Sequence, residues 1–191
     1  MAIEEPDYEV ERSTDDYELR RYPALLVATT TVTASAAEAG NRAFPILAKY
    51  IFGDNRSRSK MEMTTPVTQA RAEKIAMTAP VTQQRGDAPD AQVVSFVMPA
   101  GYTLDTLPVP NDARVRLERM PARLVAVRRY RGTWSQSRYQ SELTRLRSAL
   151  ERDGIETRGE PVFARYNSPF SLPPLRRNEV WIEVDPATTD R

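Results

Sequence analysis

Residues 21–28 read RYPALLVA, and residues 119–126 repeat the pattern as RMPARLVA, 98 positions further along the chain. The shared form is R-x-P-A-x-L-V-A, and Leu19 and Leu117 match just upstream of it. Each copy continues as a strand-like run and then reaches a helix start, at Ser35 in the first copy and at Thr133 or Ser135 in the second. A motif that recurs with the same elements behind it indicates a duplicated unit.

Two helices and several strands are predicted around this repeat. The first helix covers about 35–51, opens with a Ser35/Glu38 capping-box pattern and contains Pro45; the second covers about 135–153 and ends before Gly154. Period-two runs predict strands at 15–22, 24–33, 60–68, 74–82, 92–98, 113–119, 123–131, 162–167 and 179–185. The fold class is therefore α+β: two pseudo-twofold-related β-β-α-β-β units in an antiparallel sheet or distorted barrel with two helices. We expect one domain at 7–185, with halves of about 7–98 and 113–185 and loose tails at 1–6 and 186–191.

Composition excludes several kinds of site. The chain has no cysteine and no histidine, so disulfides, thiolate nucleophiles, histidine triads and Cys–His zinc sites are ruled out. The 27 basic and 26 acidic residues leave a formal charge of +1, which gives no reason to expect nucleic acid as the partner. No apolar stretch predicts a membrane span, and the acidic start is not typical of a secretory signal, so we expect a cytoplasmic protein.

A second repeat, with a period of fourteen, lies between the two halves. Residues 60–69, KMEMTTPVTQ, share the pattern K-x-x-M-T-x-P-V-T-Q with residues 74–83, KIAMTAPVTQ. Alternation along a hairpin places Met61 and Met63 on one face of the first arm, and Ile75 and Met77 on one face of the second. Methionine packs well against aromatic planes, so such a wall suits a flat ligand; core filling explains the same spacing.

These motifs resemble the SOUL/haem-binding-protein family. The doubled M-T-x-P-V hairpin, FVMP at 96–99, LPVP at 107–110, YNSP at 166–169 and RRNEVW at 176–181 occur in the family's order. The resemblance implies a distorted β-barrel with two helices that binds haem or related porphyrins non-covalently in a cleft beside the first helix. It implies a carrier, buffer or sensor, and favours a binding protein over an enzyme.

The resemblance also implies site residues. The family's helix contacts correspond to Asn41, Phe44, Ala48 and Lys49, and Asn41 stands where some relatives have a basic residue. Porphyrin propionates need cations at the rim, for which Arg42, Lys49, Arg176 and Arg177 are candidates, although Arg176 and Arg177 fit a structural ion pair with Glu179 or Glu183 equally well. The ligand-binding set further includes Met61, Met63 and Met77. Because some relatives use a histidine axial ligand and this chain has none, an iron bond would have to come from Met63, Met61 or a tyrosine.

One alternative function is a small-molecule-binding or hydrolase domain of the gyrase-inhibitory-like type, whose duplicated unit is similar. Some members of that group hydrolyse small molecules with a carboxylate and tyrosines in a cleft. In this chain the corresponding candidates are Glu62, Tyr50 and Tyr166. Alternation directs Glu62 away from the methionine face, which argues against it as a base over a ligand on that face.

Overall fold

The computed structural model describes residues 3–58, 72–167 and 171–189. Within these ranges the chain forms two α-helices, α1 (Ala36–Ile51) and α2 (Gln136–Arg152), and short 3-10 turns at Pro173–Leu175 and Pro186–Thr188. The described strands are β1 (Glu9–Ser13), β2 (Glu18–Tyr22), β3 (Leu25–Thr33), β4 (Asn55–Arg56), β5 (Val81–Arg85), β6 (Ala91–Val97), β7 (Val109–Pro110), β8 (Arg116–Met120), β9 (Arg123–Arg131), β10 (Thr157–Arg165) and β11 (Arg177–Val184).

The main sheet reflects the duplication seen in the sequence. Among the described strands its order is β1-β2-β9-β11-β10-β5-β6-β3-β8, and every neighbouring pair is antiparallel. Reading outward from the β10–β5 pair gives β11, β9 and β2 on one side and β6, β3 and β8 on the other. The two halves are therefore related by a pseudo-twofold axis between β10 and β5, and the first strand of each unit pairs with the other unit. The predicted α+β fold of two β-β-α-β-β units is confirmed.

The sheet curls into a half-barrel, with two apolar clusters on its outer face and one on its inner face. On the outer face α2 packs its stripe Tyr139, Leu143, Leu146 and Leu150 against β9, β10 and β11, and α1 packs on β3 and β6. On the inner face a third cluster surrounds Tyr22, Tyr166 and Trp181. Alternation along β11 explains the division, since Val180, Ile182 and Val184 point to α2 and Trp181 points inward.

Most of the predicted elements are present, with some boundaries shifted by a few residues; the predicted strand at 60–68 lies outside the described residues, and one other strand does not agree. Both helices and the run 123–131 match closely, and Ser135 caps α2 by accepting a hydrogen bond from the Arg138 amide. At α1 the Ser35 hydroxyl donates to the Glu38 carboxylate instead of capping a backbone amide. The predicted strand at 74–82 is wrong: strand pairing in this region begins only at Val81. The segment before it is held by other bonds, including Ile75 N–H to the Ile51 carbonyl at 2.8 Å.

Parts of both predicted tails are tied to the body of the protein. The Glu4 carbonyl accepts from the Ala79 amide at 2.8 Å, and the Glu5 carboxylate accepts from Arg177 at 2.9 Å. At the other end Thr188 is buried, and its hydroxyl accepts from the Glu156 amide. These hydrogen bonds give residues 4–5 and 186–188 fixed positions. Neither described helix has the length and apolar character needed to cross a membrane.

Candidate functional site

A groove lies on the outer face of the sheet, between the first turns of α1 and α2 and over the pseudo-twofold axis. It encloses about 360 Å³. Ala36 of α1, Gln136 and Tyr139 of α2, and Gln83 and Phe163 of the two axial strands line it. Such a groove between duplicated elements is a natural ligand site, and its volume is at the low end of the range of about 300–1,000 Å³ for small-molecule pockets.

The predicted contacts on α1 share one side of the helix but are not part of the lining of this groove, to which α1 contributes Ala36. Asn41, Phe44 and Ala48 are spaced so that they share that side. Asn41 is exposed, Phe44 is half-buried with its ring 5.4 Å from that of Phe96, and Ala48 is buried. Phe44 lies one turn after Gly40, which approaches the guanidinium of Arg165. This side of α1 therefore has both apolar and polar residues, about one to three turns beyond the groove.

Arg42 and Lys49 are both exposed on α1, but they differ in their partners. Arg42 donates to the Thr33 carbonyl at 3.2 Å and forms an ion pair with Glu38 at 3.6 Å, with both side chains 58% exposed. A pair so exposed contributes little to stability, so this guanidinium can exchange its partner at low cost. Lys49 is in the last turn, where its charge is favourable beside the helix C-terminus.

The structure separates Arg176 from Arg177. Arg176 lies 4.4 Å from the centre of the Trp134 ring and donates to the Ser171 carbonyl at 2.8 Å. Arg177 instead faces the inner cluster, where it donates to Glu179 at 2.9 Å and to Glu5 at 2.9 Å. The structural ion pair that the sequence offered as an alternative thus forms for Arg177.

The methionine candidates are only partly described. Met61 and Met63 lie outside the described residues, as does Glu62. Met77 is 36% exposed while Ile75 is 3% exposed, so the prediction that they share a face is wrong. The reason is that residues 72–77 form no strand, and alternation does not hold there.

Arg165, which the sequence reasoning did not name, contacts residues of the groove lining. Its guanidinium lies 5.2 Å from the centre of the Trp134 ring and 4.7 Å from that of Phe163, and donates to Gln83 at 3.3 Å. A Cβ atom on Gly40 would come within 2.5 Å of it. The one available signal was Gly40 itself, because a glycine inside a helix often marks a close approach.

Inside the half-barrel a second polar cluster centres on Glu179, which is fully buried. One carboxylate oxygen accepts from Tyr166 at 2.8 Å, Trp181 at 2.8 Å and Arg20 at 3.1 Å, and the other accepts from Arg177. Both oxygens are saturated by this chain's own donors. The cluster is consequently a structural network, and the Tyr166 hydroxyl is part of it through its hydrogen bond to Glu179.

The tyrosines give little support to iron ligation or to a hydrolytic site. The Tyr50 hydroxyl donates to the Pro108 carbonyl at 2.9 Å, and Tyr50 and Tyr166 belong to clusters on opposite faces of the sheet. Tyr139, which lines the groove, has its pKa raised by burial to about 12, so the tyrosinate form is strongly disfavoured at neutral pH. Among residues 3–58, 72–167 and 171–189, no three acidic side chains are grouped as a metal site would require.

Comparison with known proteins fits this architecture. A family model described as SOUL heme-binding protein matches residues 3–183. The chain belongs to the SOUL heme-binding protein family. Heme-binding protein 2 of Homo sapiens is 30% identical over 192 residues, which cover 95% of this chain and 86% of that protein. Heme-binding protein 1 of Mus musculus is 28% identical over 167 residues, covering 87% and 83% respectively.

Solved structures share the fold of this SOUL-family chain at much lower identity. The crystal structure of the EcmrR C-terminal domain superposes with a TM-score of 0.61 at 12% identity, covering 93% of this chain and 98% of that one. At that identity the likeness shows the fold alone. The resemblance proposed from the sequence motifs is confirmed.

Proposed function

We propose that this chain binds haem or a related tetrapyrrole non-covalently, with one edge of the macrocycle in the groove beside α1. It would serve as a carrier, buffer or sensor. The observation that supports the proposal is that this SOUL-family chain has an open groove at the first turn of α1, with the aromatic side chains of Tyr139 and Phe163 in its lining.

The apolar part of the site would supply most of the affinity. Burying hydrocarbon surface is favourable by about 25 cal/mol per Å² before the cost of association. Phe44 and the rings of Phe163 and Trp134 offer planar or edge contacts to a flat ligand. Since the volume of the groove is only about 360 Å³, it would bind one edge of the macrocycle and leave the rest in contact with solvent.

The charged part of the site would bind the propionates. Arg42, Lys49 and Arg176 lie on the outer side, whereas Arg177 is already engaged by Glu179 and Glu5. A guanidinium and a carboxylate can form two parallel charge-assisted hydrogen bonds, which orient the ligand as well as hold it. Arg177 is therefore the weakest of the four candidates.

Iron is not expected to contribute much to binding. The chain has no histidine, and the groove tyrosine is held in its neutral form. Haem, when bound, would supply the redox and gas-binding chemistry of its iron, while the protein's residues bind and orient the macrocycle. We expect metal-free protoporphyrin to bind about as tightly as hemin.

The test is an equilibrium titration with hemin, followed by Soret absorbance, and with protoporphyrin IX, followed by fluorescence. We expect saturation by both ligands near one per chain. Phe44→Glu should weaken binding at least tenfold, and Asn41→Glu, at an exposed position, should weaken it without touching the core. Val10→Glu, at an exposed position of the edge strand β1, is the matched control. No saturable binding of either ligand would overturn the proposal.

A further inference from the structure

Arg165, at the end of β10, carries a positive charge that no described acid neutralises. Its Nε atom is buried and has no hydrogen-bond partner within residues 3–58, 72–167 and 171–189. Arg128 and Arg177 also extend from strands of this sheet, and each pairs with a buried carboxylate, Glu142 or Glu179, at 2.8–2.9 Å. In the described part of the protein Arg165 has only Gln83 as a hydrogen-bond partner, at 3.3 Å.

Such a charge is costly to bury. Burial lowers the pKa of the Arg165 guanidinium, although arginine stays charged at neutral pH. The Trp134 and Phe163 rings offset part of the cost through cation–π contact, but they leave the Nε–H group unpaired. A native buried donor without a partner calls for an explanation, and an acceptor brought by a ligand is a direct one.

A glycine in the first helix leaves space for this guanidinium. Glycine is a poor helix former, yet Gly40 stands in the interior of α1 with Arg165 Nη1 only 2.5 Å from where an alanine Cβ would be. The missing side chain makes room for the cation.

Arg165 also contacts two residues of the groove lining, Gln83 and Phe163. Gly40 is one helical turn before Phe44 on the same side of α1. The Trp134 ring, which Arg165 also contacts, is shared with Arg176. Aromatic rings of the groove region therefore pack against a guanidinium whose Nε–H group has no hydrogen-bond partner in the described residues.

We infer that Arg165 binds a carboxylate of the ligand and sets a preference for tetrapyrrole carboxylic acids over their esters. This assignment rests on the proposed function. The carboxylate oxygen would accept the hydrogen bond from Nε–H, while Gln83 continues to accept from Nη2.

The experiment compares protoporphyrin IX with its dimethyl ester, titrated into the wild type and into Arg165→Gln and followed by porphyrin fluorescence. The wild type should bind the diacid more tightly. Arg165→Gln should weaken diacid binding about tenfold to a hundredfold and change ester binding less than about threefold, as expected for loss of a charge-assisted hydrogen bond. Arg116→Gln, at an exposed position of β8, is the control and should change neither.

Two further readouts separate binding from a structural role. Without ligand, Arg165→Gln should unfold at the same or a higher urea concentration, because it removes an unpaired buried charge. Gly40→Ala should weaken diacid binding in the wild type by displacing the guanidinium, and should have no such effect in the Arg165→Gln background.

The outcomes are distinguishable. If the wild type binds neither porphyrin, the proposed function fails and this assignment fails with it. If both porphyrins bind but Arg165→Gln leaves their ratio unchanged, Arg165 does not contact the carboxylate and only the assignment is overturned. A lower urea midpoint for Arg165→Gln with an unchanged ratio would identify Arg165 as a structural residue.

Discussion

Glu179→Gln should be strongly destabilising, because the Glu179 carboxylate compensates two arginines inside the half-barrel. The side chains of Glu179 and Arg20 are 0% and 3% exposed, and Arg177 is 19% exposed. Removing one partner of a buried pair typically costs about 3–5 kcal/mol of unfolding free energy. The low end applies here, about 3 kcal/mol, because Arg20 keeps Glu18 at 2.7 Å and Arg177 keeps Glu5.

Urea unfolding followed by far-UV circular dichroism measures this loss without depending on Trp181, which is bonded to Glu179. For a chain of this size, a loss of about 3 kcal/mol corresponds to a fall in melting temperature of about 6–12 °C. Glu183→Gln, four residues along the same strand and half-buried, is the control and should cost less than about 1 kcal/mol. Equal losses for the two variants would refute the view that Glu179 holds the inner cluster together.

Two further predictions concern the ionisation of buried tyrosines at alkaline pH and the truncation of an apolar side chain of α2. Burial raises the pKa of Tyr22 and Tyr139 to about 12, so each should contribute stability below pH 10 that is lost between about pH 10 and 12, roughly 2–3 kcal/mol per group. Absorbance at 295 nm and circular dichroism should therefore change together in that interval; ionisation of all eight tyrosines near pH 10 with the fold intact would contradict this. Leu146→Ala, at a fully buried position of α2, should cost about 2–5 kcal/mol in urea unfolding, and Phe52→Ala, 59% exposed, less than about 0.5 kcal/mol. Similar losses for the two would contradict the packing described for α2.

Local pattern was sufficient for most of the fold. The repeated R-x-P-A-x-L-V-A motif predicted the duplication, and alternation correctly separated Trp181 from Val180 and Ile182. Alternation failed at residues 74–80, where the backbone bonds to the end of α1 and to residue 4 instead of to a neighbouring strand. Such pairing depends on segments distant in sequence, which local pattern does not report.

The sequence supplied candidate site residues on α1 and none on β10. Family resemblance named Asn41, Phe44 and Ala48, whose role in binding stays a prediction. Arg165 is one of many arginines in the sequence, and only its tertiary position against Gly40 and Trp134 distinguishes it. Arg177 shows the converse, because a motif position that suggested ligand binding is engaged by Glu179.

The location of the ligand is the central claim, and the two tryptophans test it directly. Trp134 lies beside the groove with Arg165, and Trp181 is buried in the inner cluster. Their indole N–H resonances can be followed in ¹⁵N-labelled protein while metal-free protoporphyrin IX is added. A ring-current shift of the Trp134 signal, with Trp181 unchanged and with backbone shifts concentrated at residues 40–49, is the result that the account predicts. A shift of Trp181 with Trp134 unchanged would place the ligand inside the half-barrel and contradict it.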